Sequence, residues 1–365
     1  MMRPAELLRA VPVARPELAR LPVYEPGRAA PPGAVKLASN ENACGPSPKI
    51  RKALKSFSAW ERYPDGSSLG LRMALSGRLG VLPEEILVGA GSDEIGDFLA
   101  RAFLRPKDAV VYPKYTFIRY GMAAMAAGAR RIETGVNTDF SVDLEDLIRA
   151  IRAARPRMVC LANPNNPTAA VLRREEFLEL AKHVPPSCLF VVDEAYYEYA
   201  VLAADYPDSL LCLKKYPNMV VLRTFSKIYG LASLRVGFAV ANVRLISELH
   251  KVRPPFNVSA IGQMAAILAL EDQDHVWRCA QKNVRERDRL TAALESLGFR
   301  VHTGAANFVL VDLRPRAGRD VFPRLARKGL VVRTLDPYGL PHHIRITIGS
   351  PKENDRLLAA MESLR

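Results

Sequence analysis

A single lysine stands among hydroxyl, glycine and arginine residues directly after the apolar run MVVL. The stretch RTFSKIYGLASLRVGF, residues 223–238, contains Thr224, Ser226, Lys227 and Arg235. Neighbouring positive charge and removal from water lower the pKa of a lysine, and a neutral lysine forms Schiff bases with aldehydes. Hydroxyl and guanidinium groups are donors for a phosphate. The stretch therefore predicts a site that holds an aldehyde at one end and its phosphate at the other.

A carboxylate closes a second apolar run. LFVVD ends at Asp193, and Tyr196 follows three residues later. A buried carboxylate is costly unless a cation pairs with it. A protonated pyridine nitrogen is such a cation, and Tyr196 would donate a hydrogen bond to a phenolic oxygen on the same ring.

Three further segments follow apolar runs and carry groups suited to a ligand. Gly91, Ser92 and Asp93 open a helical segment, whose first backbone N–H groups bind anions, although Ser92 or Asp93 would also serve as a plain helix cap. Tyr115 follows AVVYP and is either a ring that stacks on a flat ligand or a core tyrosine. NPNNPT follows MVCLA, and its prolines fix the turn and hold the asparagine amides with little freedom.

The chain beyond residue 45 alternates short apolar runs with amphipathic segments. The runs ILVG, AVVY, MVCLA, LFVVD, MVVLR and VGFAV are separated by helix-period segments such as REEFLELAKHV. This alternation predicts an α/β fold with a mostly parallel sheet sandwiched by helices. Ligands of such sheets bind beyond the carboxyl ends of the strands, where the groups described above lie.

We predict three parts of the chain. An N-terminal arm rich in proline and glycine covers residues 1–45, and a large α/β domain covers residues 46–255. A smaller α+β domain covers residues 256–365, with a long helical stretch over about 258–297 followed by the strands GFRVH, NFVLVDL, GLVVR and HIRITI and a final helix. We expect the arm to join this smaller domain.

Composition limits the partners. The net charge is +14, but the basic residues are dispersed and no nucleic-acid-binding motif accompanies them, so we expect no nucleic-acid partner. No apolar run approaches the roughly 20 residues of a membrane helix, and the N-terminus lacks a signal peptide, so we expect a cytoplasmic protein without a membrane partner. The five cysteines are widely spaced and predict neither a disulfide framework nor a metal site.

Motifs along nearly the whole chain carry a family resemblance. They are YEPG, LASNEN, GPSP, YPDGSSLGLR, GAGSDEI, NPNNPT, VVDEAYYEY, LRTFSKIYGLASLRVGF, NFVLVD, GLVVR and IRITIGS. In this order and spacing they resemble the fold-type I pyridoxal-phosphate aminotransferases, and within them the histidinol-phosphate aminotransferase branch. The resemblance implies pyridoxal 5'-phosphate as cofactor, a seven-stranded sheet in the large domain and a homodimer.

The resemblance also implies roles around the cofactor ring. Lys227 is the Schiff-base lysine, and Asp193 pairs with the pyridinium nitrogen. Asn166 and Tyr196 hydrogen-bond the ring oxygen, and Tyr115 stacks on the ring.

Two further sets of residues are implied by the resemblance, one for the cofactor phosphate and one for an anionic substrate. The phosphate set is Gly91, Ser92, Asp93, Thr224, Ser226 and Arg235, joined by Tyr63 from the partner subunit. The substrate set is Tyr24, Asn166, Arg333 and Arg345. Arginine suits an oxyanion because its planar guanidinium binds two oxygens at once.

The function implied is transamination between histidinol phosphate, or a closely related amino acid or amine, and 2-oxoglutarate, as part of histidine biosynthesis. Two alternatives use the same site, decarboxylation of threonine phosphate and a specialised-pathway enzyme with another substrate. A regulator that binds the cofactor without turnover would need a fused DNA-binding region, and the arm is too short and too rich in proline for one.

The sequence departs from the family pattern in a few places, several of them near the predicted substrate entrance. Ala169 replaces the glycine of NPTG, and Ser233 replaces a second glycine. Ala43, Lys114 and Ile118 occupy positions where proline, threonine and an aromatic residue are usual. These departures bear on the substrate more than on the cofactor.

Overall fold

A seven-stranded sheet forms the centre of the computed structural model, which describes residues 14–21, 23 and 31–364. In chain order the strands are β1 (Val35–Leu37), β2 (Ile86–Gly89), β3 (Ala109–Pro113), β4 (Arg130–Thr134), β5 (Met158–Ala162), β6 (Leu189–Asp193), β7 (Met219–Thr224), β8 (Gly237–Ala241), β9 (Arg300–His302), β10 (Phe308–Asp312), β11 (Leu330–Leu335) and β12 (Leu340–Thr347). The large sheet has the order β2-β8-β7-β6-β5-β3-β4. Of its strands, β8 runs antiparallel to both neighbours and the other pairs are parallel. The predicted mostly parallel sheet is confirmed.

Helices cover both faces of this sheet. They are α1 (Pro48–Leu54), α2 (Leu69–Leu79), α3 (Ser92–Phe103), α4 (Arg119–Ala126), α5 (Leu144–Ala154), α6 (Arg174–His183), α7 (Tyr197–Ala200), α8 (Val243–Val252), α9 (Ala260–Leu270), α10 (Gln273–Ser296), α11 (Gly318–Arg327) and α12 (Pro351–Glu362). On β3, Val110 packs in the core with α3 and α8, whereas Val111 packs in the core with α5 and α6. Because both faces of the central strands are buried, these strands are continuous apolar runs.

A second, five-stranded sheet has the order β1-β11-β12-β10-β9. β1 runs parallel to β11, so residues just before the large sheet complete a sheet built mainly from the C-terminal part of the chain. Leu290 of α10, Phe322 of α11 and Leu357 of α12 share its core. The domain boundary at residue 255 stays a prediction, and α9, which follows it, packs against α1 and α2.

The long helical stretch predicted over residues 258–297 is two helices, α9 and α10. Asp272 lies between them and caps α10, because its side chain accepts a hydrogen bond from the backbone N–H of His275. The same carboxylate accepts a hydrogen bond from Ser47, directly before α1. The break therefore connects the start of α10 to the start of α1.

None of the helices in the described part of the chain combines the length and apolarity of a membrane span. Within residues 14–21, 23 and 31–364, no cluster of three or more His, Cys, Asp or Glu side chains suits a metal ion.

Candidate active site

A cavity of about 130 Å³ lies beyond the carboxyl ends of β5, β6 and β7. The strands end in Ala162, Asp193 and Thr224, and all three residues line the cavity. Most of the predicted cofactor residues meet here: Ser92, Asp93, Asn166, Asp193, Tyr196, Thr224, Ser226, Lys227 and Arg235. Residues from distant parts of the sequence converge because parallel strands end at one edge of the sheet.

Lys227 lines this cavity as a half-buried side chain, with two other positive charges nearby. Its Nζ donates a hydrogen bond to the backbone oxygen of Ser39 (3.3 Å) and lies 5.6 Å from the centre of the Tyr196 ring. Burial, followed by the charges of Arg345 and Arg235, lowers the pKa of Lys227 to about 7. A large fraction of Lys227 is therefore a neutral, nucleophilic amine at neutral pH.

Asp193 ends β6 with both carboxylate oxygens held. Oδ2 accepts a hydrogen bond from the Tyr120 hydroxyl (2.8 Å), and Oδ1 accepts one from the backbone N–H of Ala195 (3.0 Å). Burial raises the pKa of Asp193 to about 6, against the lowering effect of these two bonds. A cation brought next to this carboxylate would favour its ionised form.

Tyr196 lies on the other side of the cavity. Its hydroxyl accepts a hydrogen bond from Asn40 Nδ2 (2.8 Å), and burial raises its pKa to about 12, so the phenol stays protonated and is able to donate. Asn40 is fixed in turn, because its backbone N–H donates to Thr347 Oγ1 (2.9 Å) and its carbonyl accepts from Asn307 Nδ2 (3.0 Å). No role was predicted for Asn40, although it lies within the motif LASNEN.

An anion cradle closes one end of the cavity. Arg235 Nη1 donates to Ser226 Oγ (2.9 Å), and the backbone N–H of Ser226 donates to Thr224 Oγ1 (3.1 Å). The first turn of α3, from Ser92, adds backbone N–H groups, and Gly91 precedes it at φ +85°. A Cβ on Gly91 would contact the Arg235 guanidinium, and the positive φ at this position favours glycine. These donors fit a phosphate.

Tyr115 was predicted to stack on the ring, but its side chain does not line this cavity. Its ring packs edge-on against Phe140, with 5.8 Å between ring centres, and contacts an apolar cluster of the second sheet. Tyr115 has φ +55°, and after this left-handed turn Phe117 lines the cavity and Tyr120 reaches Asp193. Phe117 is therefore the aromatic residue placed to cover a ring. The spacing of Phe117 and Tyr120, Phe-x-x-Tyr, is the sequence signal for this arrangement.

This shift of two residues also changes the meaning of two departures. Thr116 and Tyr120 stand in the same positions relative to Phe117 as Lys114 and Ile118 do relative to Tyr115. With Phe117 as the residue that covers the ring, the threonine and the aromatic residue of the family pattern are therefore both present. Ala169 remains a departure from the family pattern, because it adopts φ +62°, a left-handed conformation that favours glycine.

Two arginines lie side by side on the second sheet. Arg345 of β12 is directly opposite Arg333 of β11 in the strand register. The Arg345 guanidinium is buried and donates to Asn166 Oδ1 and to the backbone oxygen of Ala38 (2.7 Å). Arg345 therefore joins the wall of this cavity to the five-stranded sheet, and Arg333 is half-buried beside it.

The last two predicted site residues lie outside this cavity. Tyr63 is 82% exposed and stacks on Phe256, with 4.7 Å between ring centres. Tyr24 lies outside the described residues.

Residues 32–361 match the family described as aminotransferase class I and II. The chain belongs to this family. The aminotransferase is 41% identical to histidinol-phosphate aminotransferase 1 of Nitrosococcus oceani, over 91% of this chain and 89% of that protein. It is 40% identical to the histidinol-phosphate aminotransferase of an Anaeromyxobacter species, over 96% of this chain and 98% of that protein.

A solved structure has the same fold across the whole aminotransferase. The crystal structure of histidinol-phosphate aminotransferase from Sinorhizobium meliloti in complex with pyridoxal-5'-phosphate has a TM-score of 0.84 and 30% identity, covering 100% of this chain and 99% of that one. The family resemblance stated from the motifs is confirmed, and the cofactor of this aminotransferase is pyridoxal phosphate.

We predict that the apoenzyme captures pyridoxal phosphate at a rate that rises with pH and levels off above about 7. Only the neutral amine of Lys227 reacts, and its pKa is about 7 instead of about 10.4, the value of an exposed lysine. Stopped-flow absorbance over a pH series measures the midpoint, which is the pH at which the capture rate is half its plateau value. Arg345→Gln removes a nearby positive charge and should raise it, whereas Arg289→Gln, on the surface beside Glu286, should leave it unchanged. A midpoint like that of a free lysine would contradict the argument.

Proposed function

We propose that this aminotransferase transfers the amino group of histidinol phosphate to 2-oxoglutarate, in histidine biosynthesis and in the cytoplasm. The observation that carries the proposal is the identity of about 40%, over nearly the whole of both chains, to proteins named as histidinol-phosphate aminotransferases. The charge of the site supports it, because Arg345 and Arg333 suit acidic groups on both substrates.

Pyridoxal phosphate, when bound, supplies an aldehyde that takes up an amino group and a ring that accepts electrons from the substrate. Lys227 would hold the aldehyde between turnovers. Once released by the incoming amine, its neutral amino group would take the proton from the substrate α-carbon and return it to the cofactor. The lowered pKa of Lys227 suits both tasks, since a protonated amine performs neither.

Four side chains would orient the ring. Asp193 would keep a proton on the ring nitrogen, and Tyr120 holds that carboxylate in position by its hydrogen bond. Tyr196 would donate to the ring oxygen, and Phe117 would cover one face. The anion cradle around Arg235 would bind the phosphate.

The substrate would bind against the small sheet. Arg345 donates to the backbone oxygen of Ala38 and Lys227 to that of the next residue, Ser39, so the two side chains approach the same segment, and Arg345 would bind the acidic group nearest the reacting carbon. Arg333, opposite it in the register, extends the positive charge outward for a second acidic group. The resemblance adds Tyr24 and Asn166 to this set.

The aminotransferase would work as a homodimer. Tyr63 stacks on Phe256, which is 45% exposed, and three large apolar side chains near Tyr63 in the sequence are exposed as well: Trp60 is 71%, Leu69 50% and Met73 55% exposed. Exposed apolar side chains that lie together mark protein interfaces. In such a dimer Tyr63 would reach the cofactor phosphate of the partner subunit.

The substrate is tested by a half-reaction. Adding histidinol phosphate to the holoenzyme should abolish the visible absorption of bound pyridoxal phosphate, and 2-oxoglutarate should restore it. Lys227→Ala should bind the cofactor without covalent attachment and lose turnover by at least about a thousandfold, because the proton-transfer group and the attachment point are both removed.

Other outcomes of this assay would replace the proposed substrate. Carbon dioxide released from threonine phosphate would move the enzyme to decarboxylation. No response to either phosphate, with a response to another amino acid or amine, would indicate a specialised substrate. Turnover surviving in Lys227→Ala would contradict the role of Lys227.

The dimer is tested at Tyr63. We expect light scattering to give twice the mass of the chain. Tyr63→Phe should weaken cofactor binding by about tenfold or more, since a hydrogen bond to a charged group contributes about 1.5–3 kcal/mol. Tyr216→Phe is the matched control, because Tyr216 packs within the core of the large sheet. A monomer with full cofactor affinity, or an unaffected Tyr63→Phe variant, would overturn this part of the proposal.

A further inference from the structure

A second cavity, of about 500 Å³, lies between residues 41–44, the first half of α10 and the start of α12. Two cysteines line it, Cys44 from the segment before α1 and Cys279 from α10. His275, Arg278 and Lys282 line it as well and give this wall a basic character. None of these residues belongs to the cofactor site described above.

The two thiols are in contact. Cys44 and Cys279 share a side-chain hydrogen bond. His275 Nε2 lies 3.4 Å from Cys279 Sγ and 3.1 Å from the backbone oxygen of Gly45. Because a carbonyl oxygen only accepts, Nε2 carries the proton, and its N–H points at both acceptors. Donors and the charge of Lys282 thus surround the pair, and such an environment stabilises thiolates.

Cys44 differs from the other cysteines in its acidity. The hydrogen bond with Cys279 and the charge of Lys282 lower the pKa of Cys44. Burial raises the pKa of Cys160, Cys188 and Cys212. Cys44 is therefore the cysteine whose pKa is lowered, and it lines a cavity.

We propose that Cys44 and Cys279 form a reversible disulfide when the enzyme meets a hydroperoxide. Cys44 is the attacking thiolate, and Cys279 is the resolving thiol already in contact with it.

The chemistry balances in two steps. The Cys44 thiolate attacks one peroxide oxygen, the O–O bond breaks, and hydroxide leaves and is protonated to water, so Cys44 becomes a sulfenic acid. The Cys279 sulfur then attacks the Cys44 sulfur, the S–O bond breaks, and the leaving hydroxide takes the Cys279 proton as water. Two thiols are oxidised to one disulfide, and hydrogen peroxide is reduced to two waters.

The segment that carries Cys44 also supports the cofactor site. The backbone N–H of Cys44 donates to Asn42 Oδ1 (3.0 Å), and Asn42 Nδ2 donates to the backbone oxygen of Ile228 (2.6 Å), next to Lys227. Asn40, which holds Tyr196, lies four residues before Cys44. An S–S bond of about 2.0 Å is shorter than a hydrogen-bonded contact, so oxidation draws Cys44 toward α10 and strains these contacts. Oxidation should therefore lower activity.

Peptide mapping by mass spectrometry tests the proposal on the holoenzyme treated with hydrogen peroxide at neutral pH. We expect a peptide pair linked through Cys44 and Cys279, loss of two of the five thiols per chain, and recovery of both with dithiothreitol. At limiting peroxide Cys44 should react roughly tenfold faster than Cys212, because its thiolate fraction is larger. Activity should fall and recover in parallel.

Variants separate this chemistry from general damage. Cys279→Ser should leave Cys44 as a sulfenic acid that a dimedone probe labels, and Cys44→Ser should abolish the linkage. Cys212→Ser is the matched control and should behave like the unmodified enzyme. No Cys44–Cys279 peptide, or oxidation of Cys44 no faster than of Cys212, would overturn the proposal. The mass readout needs no substrate, so it stands apart from the proposed function.

Discussion

The partial burial of Lys227 near two arginines is the constraint on which the rest of the site depends. Removal from water disfavours the charged form of this lysine, and the positive charges of Arg345 and Arg235 add to that effect. Arginine keeps its proton, so the lysine loses one, and its pKa falls to about 7. The result is a neutral amine between two guanidinium groups. An anion at each end, a cofactor phosphate near Arg235 and an acidic substrate near Arg345, is the complement that such a site requires.

The scaffold beneath the cavity is itself built on a buried charge network. Arg223 of β7 pairs with Glu194 (2.7 Å) and Asp208 (3.1 Å) and lies 3.3 Å from the centre of the Tyr197 ring. Glu194 follows directly after the end of β6 and is fully buried, so its charge would be costly without Arg223. This network fixes the loop after β6, and with it the orientation of Asp193.

The sequence pointed to Lys227 and Asp193 because each follows an apolar run, and the structure brings both to one cavity. The error at Tyr115 has a local cause, since the left-handed backbone at this residue sends Phe117 into the cavity, and no apolar pattern reports a φ angle. Asn40 was missed because its partner Tyr196 is distant in sequence and close only in the fold.

The outer elements were harder to predict than the inner ones. β4, with the sequence RRIET, is an edge strand that exposes most of its side chains, so it lacks the apolar run that identified its neighbours. The break between α9 and α10 depends on the capping bond of Asp272, which leaves the helical periodicity on either side intact. Polar contacts of single residues, more than hydrophobic periodicity, decide these features.

The most direct test of the central claim is to locate the covalent attachment of the cofactor. Borohydride reduction of the holoenzyme fixes pyridoxal phosphate to the lysine that holds it, and peptide mapping then identifies that lysine. We expect one phosphopyridoxyl group per chain, on the peptide that contains Lys227. A label on another lysine, or a reduced enzyme without any covalent label, would contradict this expectation.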